Sequence, residues 1–221
     1  MSLLTANKTP VVSAYISIPR IGRGIGDLIV DREFGLEAGD KITLAWEDGT
    51  QYECTVAVGH SDRGRWRMRV EMGAGRMARN LPSRYYEGIP AATVARDIIV
   101  EAGETPGDID LPGTLLRYVR RAAPAYEQLA ALLADTGRYW RIEPDGKVKI
   151  GIDSYPNTAP IPIINAYPPA RRYQLPLTPS LQTGVSLVGL VDDDIMPLGK
   201  VERVAHQVSA RWIATEVWCG N

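Results

Sequence analysis

The sequence predicts a mainly β protein with a small α+β unit in its middle. Three observations carry that prediction. Residues 10–75 alternate apolar and polar side chains with period two, between clusters of turn residues. Two apolar stripes of helical period follow, each opened by a proline and closed by a glycine. Period-two alternation then returns and continues toward the C-terminus, interrupted by a stretch dense in proline.

Residues 11–18 are β-branched and aromatic and end at Pro19, and residues 28–34 follow a loop containing Gly22, Gly24 and Gly26. Residues 41–46 put Ile42, Leu44 and Trp46 on one face. Asp48-Gly49 then signals a hairpin into residues 51–59, with Tyr52, Cys54, Val56 and Val58 on one face. A turn at residues 60–64 leads to a fifth strand, 65–72. Five strands with tight connections predict a small antiparallel barrel or sandwich.

Residues 91–102 fit a helix with Val94, Ile98 and Ala102 on its stripe and Gly103 as a left-handed cap. Residues 125–136 fit a second, with Pro124 at its start and a stripe of Tyr126, Leu129 and Leu133. A hairpin, 139–143 and 147–152, turns at Pro144-Asp145-Gly146 and sends Val148, Ile150 and Ile152 inward. Seven prolines between Pro156 and Pro179 predict an extended connector. Residues 184–191, 200–208 and 211–218 are three further strands. The expected division is 1–88, 89–155, 156–180 and 181–221, the last forming a second barrel with any help it needs from other segments.

Composition excludes several classes of function. With 25 Lys+Arg against 26 Asp+Glu, the net charge of -1 gives no general pull toward polyanions or anionic lipid. No apolar run approaches the ~20 residues that span a bilayer, and the N-terminal residues lack a signal-peptide pattern, so a soluble cytoplasmic product is expected. Cys54 and Cys219 have no CxxC spacing and are expected to be free, with Cys54 a small buried apolar residue.

Catalysis and metal binding need clustered donors, and this chain has two histidines. His60, beside Ser61 and Asp62 in the expected turn, is too close to them in sequence for a triad to converge. His206 sits between Val204 and Val208, as a packed or surface strand residue would. Asp192-Asp193-Asp194 lacks the alternating ligands, central glycine and distant glutamate of a calcium loop, and reads as a solvated turn. The glycines at 22, 24 and 26 join two strands rather than a strand and a helix, so they are not a dinucleotide fingerprint. No catalytic residue, metal ligand or cofactor site is assigned.

The strand 65–72 is unusual. Arg65, Arg67 and Arg69 point to one face, while Trp66, Met68 and Val70 point to the other. Three unpaired guanidinium groups cannot be buried, so the arginine face is exposed. It is a candidate subunit interface for partners bearing carboxylates. Alternatives are a nucleic-acid contact or a plain solvated surface.

A family is suggested by the order of these parts. A barrel is followed by a helix ending in Glu101-Ala102-Gly103. A helix and hairpin come next, reading Leu132-Leu133, Thr136-Gly137, Trp140, Pro144-Asp145-Gly146, Val148 and Ile150-Gly151. This resembles the tail hub (baseplate hub) proteins of long-tailed bacteriophages, related to the late-control and spike-carrier proteins of contractile injection machines. The resemblance covers residues 10–155, and the C-terminal strands more loosely.

It implies two tail-tube-like barrels flanking the helix–helix–hairpin unit, and a homotrimer whose six barrels form a ring joining tail tube to tip. Implied partners are a tail tube or distal tail protein, a tip or spike protein and a tape measure protein, with no membrane contact. Genomic DNA would be met only as it passes through the lumen. The implied location is the virion tail tip, after synthesis in the bacterial host cytoplasm. A nucleic-acid-binding barrel centred on Arg65, Arg67 and Arg69 is a second reading. A cell-wall hydrolase or carbohydrate-binding module is a third, with Trp140 and Trp212 as possible sugar platforms.

Overall fold

The computed structural model describes residues 2–32, 34–191 and 194–220. Its first six strands are β1 (Leu4–Ala6), β2 (Thr9–Pro19), β3 (Ile25–Val30), β4 (Lys41–Trp46), β5 (Gln51–Asp62) and β6 (Arg65–Met72). They pair antiparallel in the order β1-β4-β5-β6-β3-β2, and β1 also pairs with β2, so the barrel closes. The predicted five strands become six because three-residue β1 is too short for periodicity to register. Alternate residues such as Ile16, Leu28, Leu44, Tyr52, Val56 and Val70 fill the interior. Full burial of such a side chain is worth about 1.5–3 kcal/mol.

Two local expectations in the barrel are corrected. The five-residue turn at 60–64 is a two-residue turn, Arg63-Gly64, with φ 53° and 77°. That mirror-image geometry suits the twist of the flanking strands, so His60, Ser61 and Asp62 extend β5. A register shift between Val56 and Val58 turns Val58 to solvent, off the face it shares in the sequence pattern with Tyr52 and Cys54.

The glycine-rich run is more than a loop between strands. Gly26 lies inside β3, where a Cβ would stand 3.1 Å from Val70 Cγ2 and 3.3 Å from Ile16 Cγ1. Gly22 pairs with the β-hairpin of the middle unit, through Gly22 N–H to Trp140 O (2.8 Å) and Ile142 N–H to Gly22 O (3.0 Å).

That unit comprises β7 (Asn80–Leu81), β8 (Arg84–Pro90), α1 (Ala91–Ala102), β9 (Thr105–Ile109), β10 (Thr114–Arg120), β11 (Ala123–Pro124), α2 (Ala125–Leu133), β12 (Tyr139–Ile142) and β13 (Lys147–Gly151). Helix α1 has the predicted bounds and cap, with Gly103 at φ 98°. Helix α2 stops at Leu133, three residues early. Tyr126 is exposed, and Gln128 takes its place on the buried stripe by donating to the carbonyls of Leu81, Arg121 and Ala123. Ile152, expected inside, is exposed beyond the end of β13. Strands β8 and β10 form an unforeseen two-stranded ribbon, and β9 joins β13 in parallel.

The Glu101-Ala102-Gly103-Glu104 run works as one device. Glu101 pairs at 2.6 Å with Arg120, whose side chain is fully buried. Gly103 ends α1. Glu104, itself buried, accepts the backbone N–H of Ala74 (2.8 Å) and Arg76 (2.6 Å), pinning the loop after β6 to the helix end. At the other side the hairpin tip docks on the barrel, where Pro144 O accepts Glu53 N–H at 2.8 Å.

The proline-rich stretch is more than an extended connector. It holds β14 (Ile161–Pro162), β15 (Asn165–Tyr167), a short 3-10 turn (Pro168–Ala170) and β16 (Arg172–Leu175). The last strands are β17 (Ser186–Val191), β18 (Asp194–Val208) and β19 (Ile213–Gly220). Residues 161–167 pair with β17 on one side and β16 on the other, β16 pairs with β19, and β18 lies between β19 and β17. A separate small core of Leu175, Leu187, Val201, Val204 and Val217 lies among these strands. Asp194 opens β18, and Asp192 and Asp193 of the expected acidic turn lie outside the described residues.

Strand β18 carries both halves. Its first part pairs with β17, and Arg203 to Val208 pair antiparallel with Pro19 to Ala14 of β2. The barrel and the C-terminal strands therefore share one continuous twelve-stranded sheet. Beneath the seam lies His206, fully buried. Its Nδ1 is 3.0 Å from Thr215 Oγ1 and its Nε2 is 3.2 Å from Tyr52 Oη. Tyr52 donates to Pro179 O at 2.6 Å, and Thr215 Oγ1 accepts Thr178 N–H at 2.9 Å. One tautomer satisfies this chain: Thr215 O–H donates to Nδ1, and Nε2–H donates to the tyrosine oxygen. Trp46 packs edge-on, 5.5 Å between ring centres.

Burial pulls the His206 pKa down to about 4, opposed in part by the Asp48 carboxylate. The unfolded chain, titrating near 6.5, takes up the proton first, so stability is full above pH 6.5 and declines as pH falls toward 4. The total loss is roughly 3 kcal/mol. Denaturation midpoints of the wild type and His206→Gln should therefore converge between pH 6.5 and pH 4; parallel curves would refute this. At the hairpin tip, Gly146 has φ 76° and a Cβ there would stand 3.2 Å from Glu53 Cβ. Gly146→Ala should cost about 1–2 kcal/mol from the left-handed backbone alone, read by chemical denaturation.

Candidate functional site

The continuous sheet presents one long outer face, and the arginine strand lies near one end of it. β6 pairs with β3 on one side and β5 on the other, which fixes Arg65, Arg67 and Arg69 outward while Met68 and Val70 are buried. All three arginines are exposed, as the alternation predicts. None is unpaired, however. Arg69 holds Asp27 with two contacts, Nε to Oδ1 at 2.8 Å and Nη2 to Oδ2 at 3.1 Å. Arg67 Nε lies 2.6 Å from Asp62, and Arg65 Nε lies 3.3 Å from Asp31. The hydrogen bond to Asp27 raises the pKa of the Arg69 guanidinium.

Three cations and three anions thus alternate across neighbouring strands. Asp27 is invisible as a partner because it lies 42 residues from Arg69 in sequence, and Asp62 because the sequence reads there as a turn and not as part of β5. The pairs are exposed and screened by solvent, so the ladder stabilises the fold only weakly.

Across the seam the same face continues. Arg203 of β18 reaches Tyr15 Oη at 3.4 Å and stacks 3.7 Å above the Trp218 ring of β19. Arg172 of β16 pairs with Glu216 at 2.6 Å and lies 4.9 Å from the Tyr167 ring centre. Between the β5–β6 hairpin and Tyr15 runs an open groove of about 450 Å³, lined by Val58, His60, Arg67, Arg69, Asp27 and Gln207 among others. Arginine stacked on tryptophan and tyrosine was not foreseen, since its members come from four strands whose order only the fold reveals.

The remaining candidates are placed as follows. His60 lies on the outer face opposite Arg67 and is far from His206, which is locked in the seam. Cys54 and Cys219 are both free and buried, and burial pushes each thiol up to about 12, so both stay protonated. Trp140 is buried in the core and Trp212 is half-exposed in the turn into β19, so they make no shared platform. Among the described residues, no group of three or more His, Cys, Asp or Glu is placed to hold a metal ion. Among the described residues, no helix is long and apolar enough to cross a membrane.

No protein-family model matches the sequence, and no curated protein matches it. Solved structures do. The 43 kDa tail protein of prophage MuSo2 from Shewanella oneidensis aligns over 97% of this chain and 95% of its own, with TM-score 0.74 and 10% identity. The E. coli c3393 protein is described as a component of the type VI secretion system with structural similarity to T4 bacteriophage tail proteins gp27 and gp5. It aligns over 97% of this chain and 75% of its own, with TM-score 0.74 and 10% identity. The tail protein from Neisseria meningitidis MC58 aligns over 98% and 95%, with TM-score 0.70 and 9% identity. At this sequence distance the likeness is one of fold, and the fold of this chain is that of phage tail proteins and their secretion-system counterpart.

Proposed function

We propose that this protein is a non-enzymatic tail hub, a trimeric ring joining the tail tube to the tip or spike of a phage tail or tail-like particle. One observation carries the reading: nearly the whole chain follows the architecture of proteins described as tail components, over almost their full length in two cases. The division into a tube-like barrel (1–88), a middle domain (89–155), a connector (156–180) and C-terminal strands (181–221) belongs to the same reading. In it the C-terminal strands, completed by residues 161–175, act as a second barrel. The return of pairing from β17 through residues 161–167 to β16 supports this. Two barrels per chain and three chains supply six units, as a ring around a tube requires.

The Arg65, Arg67 and Arg69 face is the proposed contact for a neighbouring tail protein, such as the tube, distal tail, tip or tape measure component. Its weak ion pairs with Asp27, Asp31 and Asp62 can be exchanged for a partner's carboxylates without opening the core. The product is expected in the virion, after synthesis in the host cytoplasm. The even charge balance and the paired arginines weigh against a nucleic-acid-binding role.

Native mass measurement of the protein alone and with tube or tip proteins tests the ring. A trimer is expected, and a monomer in every mixture would defeat the proposal. Changing all three arginines to Gln should move thermal melting little, since the pairs are exposed and screened by solvent, but should weaken co-purification with the neighbouring component. Unchanged co-purification would remove the arginine face from the interface.

A further inference from the structure

Strand β18 crosses between two cores. Val201 and Val204 face the small C-terminal core, while Val208 belongs to the core that the barrel shares with the middle unit. His206 stands at the crossing, fully buried. The stretch after β16 makes the same crossing. Leu175 and Leu181 lie in the small core, and Leu177 between them packs against the large one. The halves meet here through the polar chain of His206, Tyr52, Thr215, Thr178 and Pro179. Each half also closes without the other. β1 joins the two ends of the barrel, and residues 161–167 link β17 to β16 beside the small core.

We infer that His206 is an acid-sensitive lock on this joint: when its imidazole takes up a proton, the β2–β18 seam opens while the barrel and middle unit stay folded. The hydrogen-bond inventory gives the reason. Neutral His206 accepts the Thr215 hydroxyl at Nδ1 and donates from Nε2–H to Tyr52. Protonation turns Nδ1 into a donor. It then faces a hydroxyl oxygen that already accepts Thr178 N–H, and the Thr215 proton has lost its acceptor. Tyr52 does not supply a counter-charge, because its own proton is held by Pro179 O and burial raises its pKa. Ile16 of β2 and Trp46 of β4 bring no charge to the site. Among the described residues, the one carboxylate acting on the imidazole is Asp48, exposed in the β4–β5 turn. A buried cation without an ion-pair partner is strongly disfavoured, and opening the seam returns it to water. The barrel keeps its closure because β1 and β3 still hold β2. This inference does not rest on the trimeric reading.

The experiment is amide hydrogen exchange of the full chain, read residue by residue by NMR at pH 8 and pH 5 and corrected for intrinsic rates. His206 titrates at about 4 in the closed joint and near 6.5 once exposed. The amides pairing residues 14–19 with 203–208 should therefore lose protection about 30-fold at pH 5. Amides pairing β4 with β5 should keep theirs. His206→Gln, which takes up no proton, should abolish the acid-dependent loss. Should that variant fold poorly, the nitrogen shifts of the wild-type imidazole decide. His206 should be cationic only in the population whose seam is open. A cationic His206 beneath a protected seam overturns the inference, as does a seam that stays protected at pH 5. So does a loss spread evenly over barrel and seam, or one that persists in His206→Gln. None of these outcomes changes the subunit count, so the trimeric reading stands or falls separately on native mass.

Discussion

The pairing of β2 with β18, and the buried histidine beneath it, hold the rest of the structure in place. Six residue pairs along the seam join the barrel to the C-terminal strands through main-chain hydrogen bonds. His206 then ties three other segments to β18 in one polar chain: Tyr52 of β5, Thr215 of β19, and through them Pro179 and Thr178 of the proline-rich stretch. Every donor in that chain has an acceptor, which a dry site demands. The ring stays neutral because burial disfavours its charged form. With this seam closed, the outer faces of the barrel and the C-terminal strands become one surface.

A second set of ties fixes the middle unit. Gly22 pairs with β12, Pro144 receives Glu53, and Glu104 holds the loop after β6. Arg20 at the end of β2 adds an ion pair to Glu202 of β18 at 2.6 Å, and Arg141 of β12 pairs with Asp153. These contacts join the hairpin unit to the barrel and to the Pro19–Arg203 end of the seam. The middle unit therefore buttresses the sheet from one side while the arginine, stacked-aromatic and apolar surfaces remain available on others.

Those surfaces divide labour by chemistry. The ladder of Arg65, Arg67 and Arg69 with its aspartates is locally neutral and wet. Ile164 and Ile195 are apolar and exposed among the C-terminal strands. The fold places the two kinds of face at different ends of one sheet.

Local signals in the chain determined much of this protein. Period-two alternation placed β4 and β6, and the proline and glycine ends placed α1, because side-chain direction and capping depend on residues only a few positions apart. Arg65, Arg67 and Arg69 were legible as an exposed row for the same reason. Tertiary structure decided what long-range pairing controls: that β1 closes the barrel, that proline-rich residues supply strands, and that β18 spans both halves. It also decided that each arginine meets an aspartate and that His206, which reads as an ordinary strand residue, lies at the centre of the seam. Strand order depends on which distant segments share hydrogen bonds, and periodicity along one strand carries no record of its neighbours.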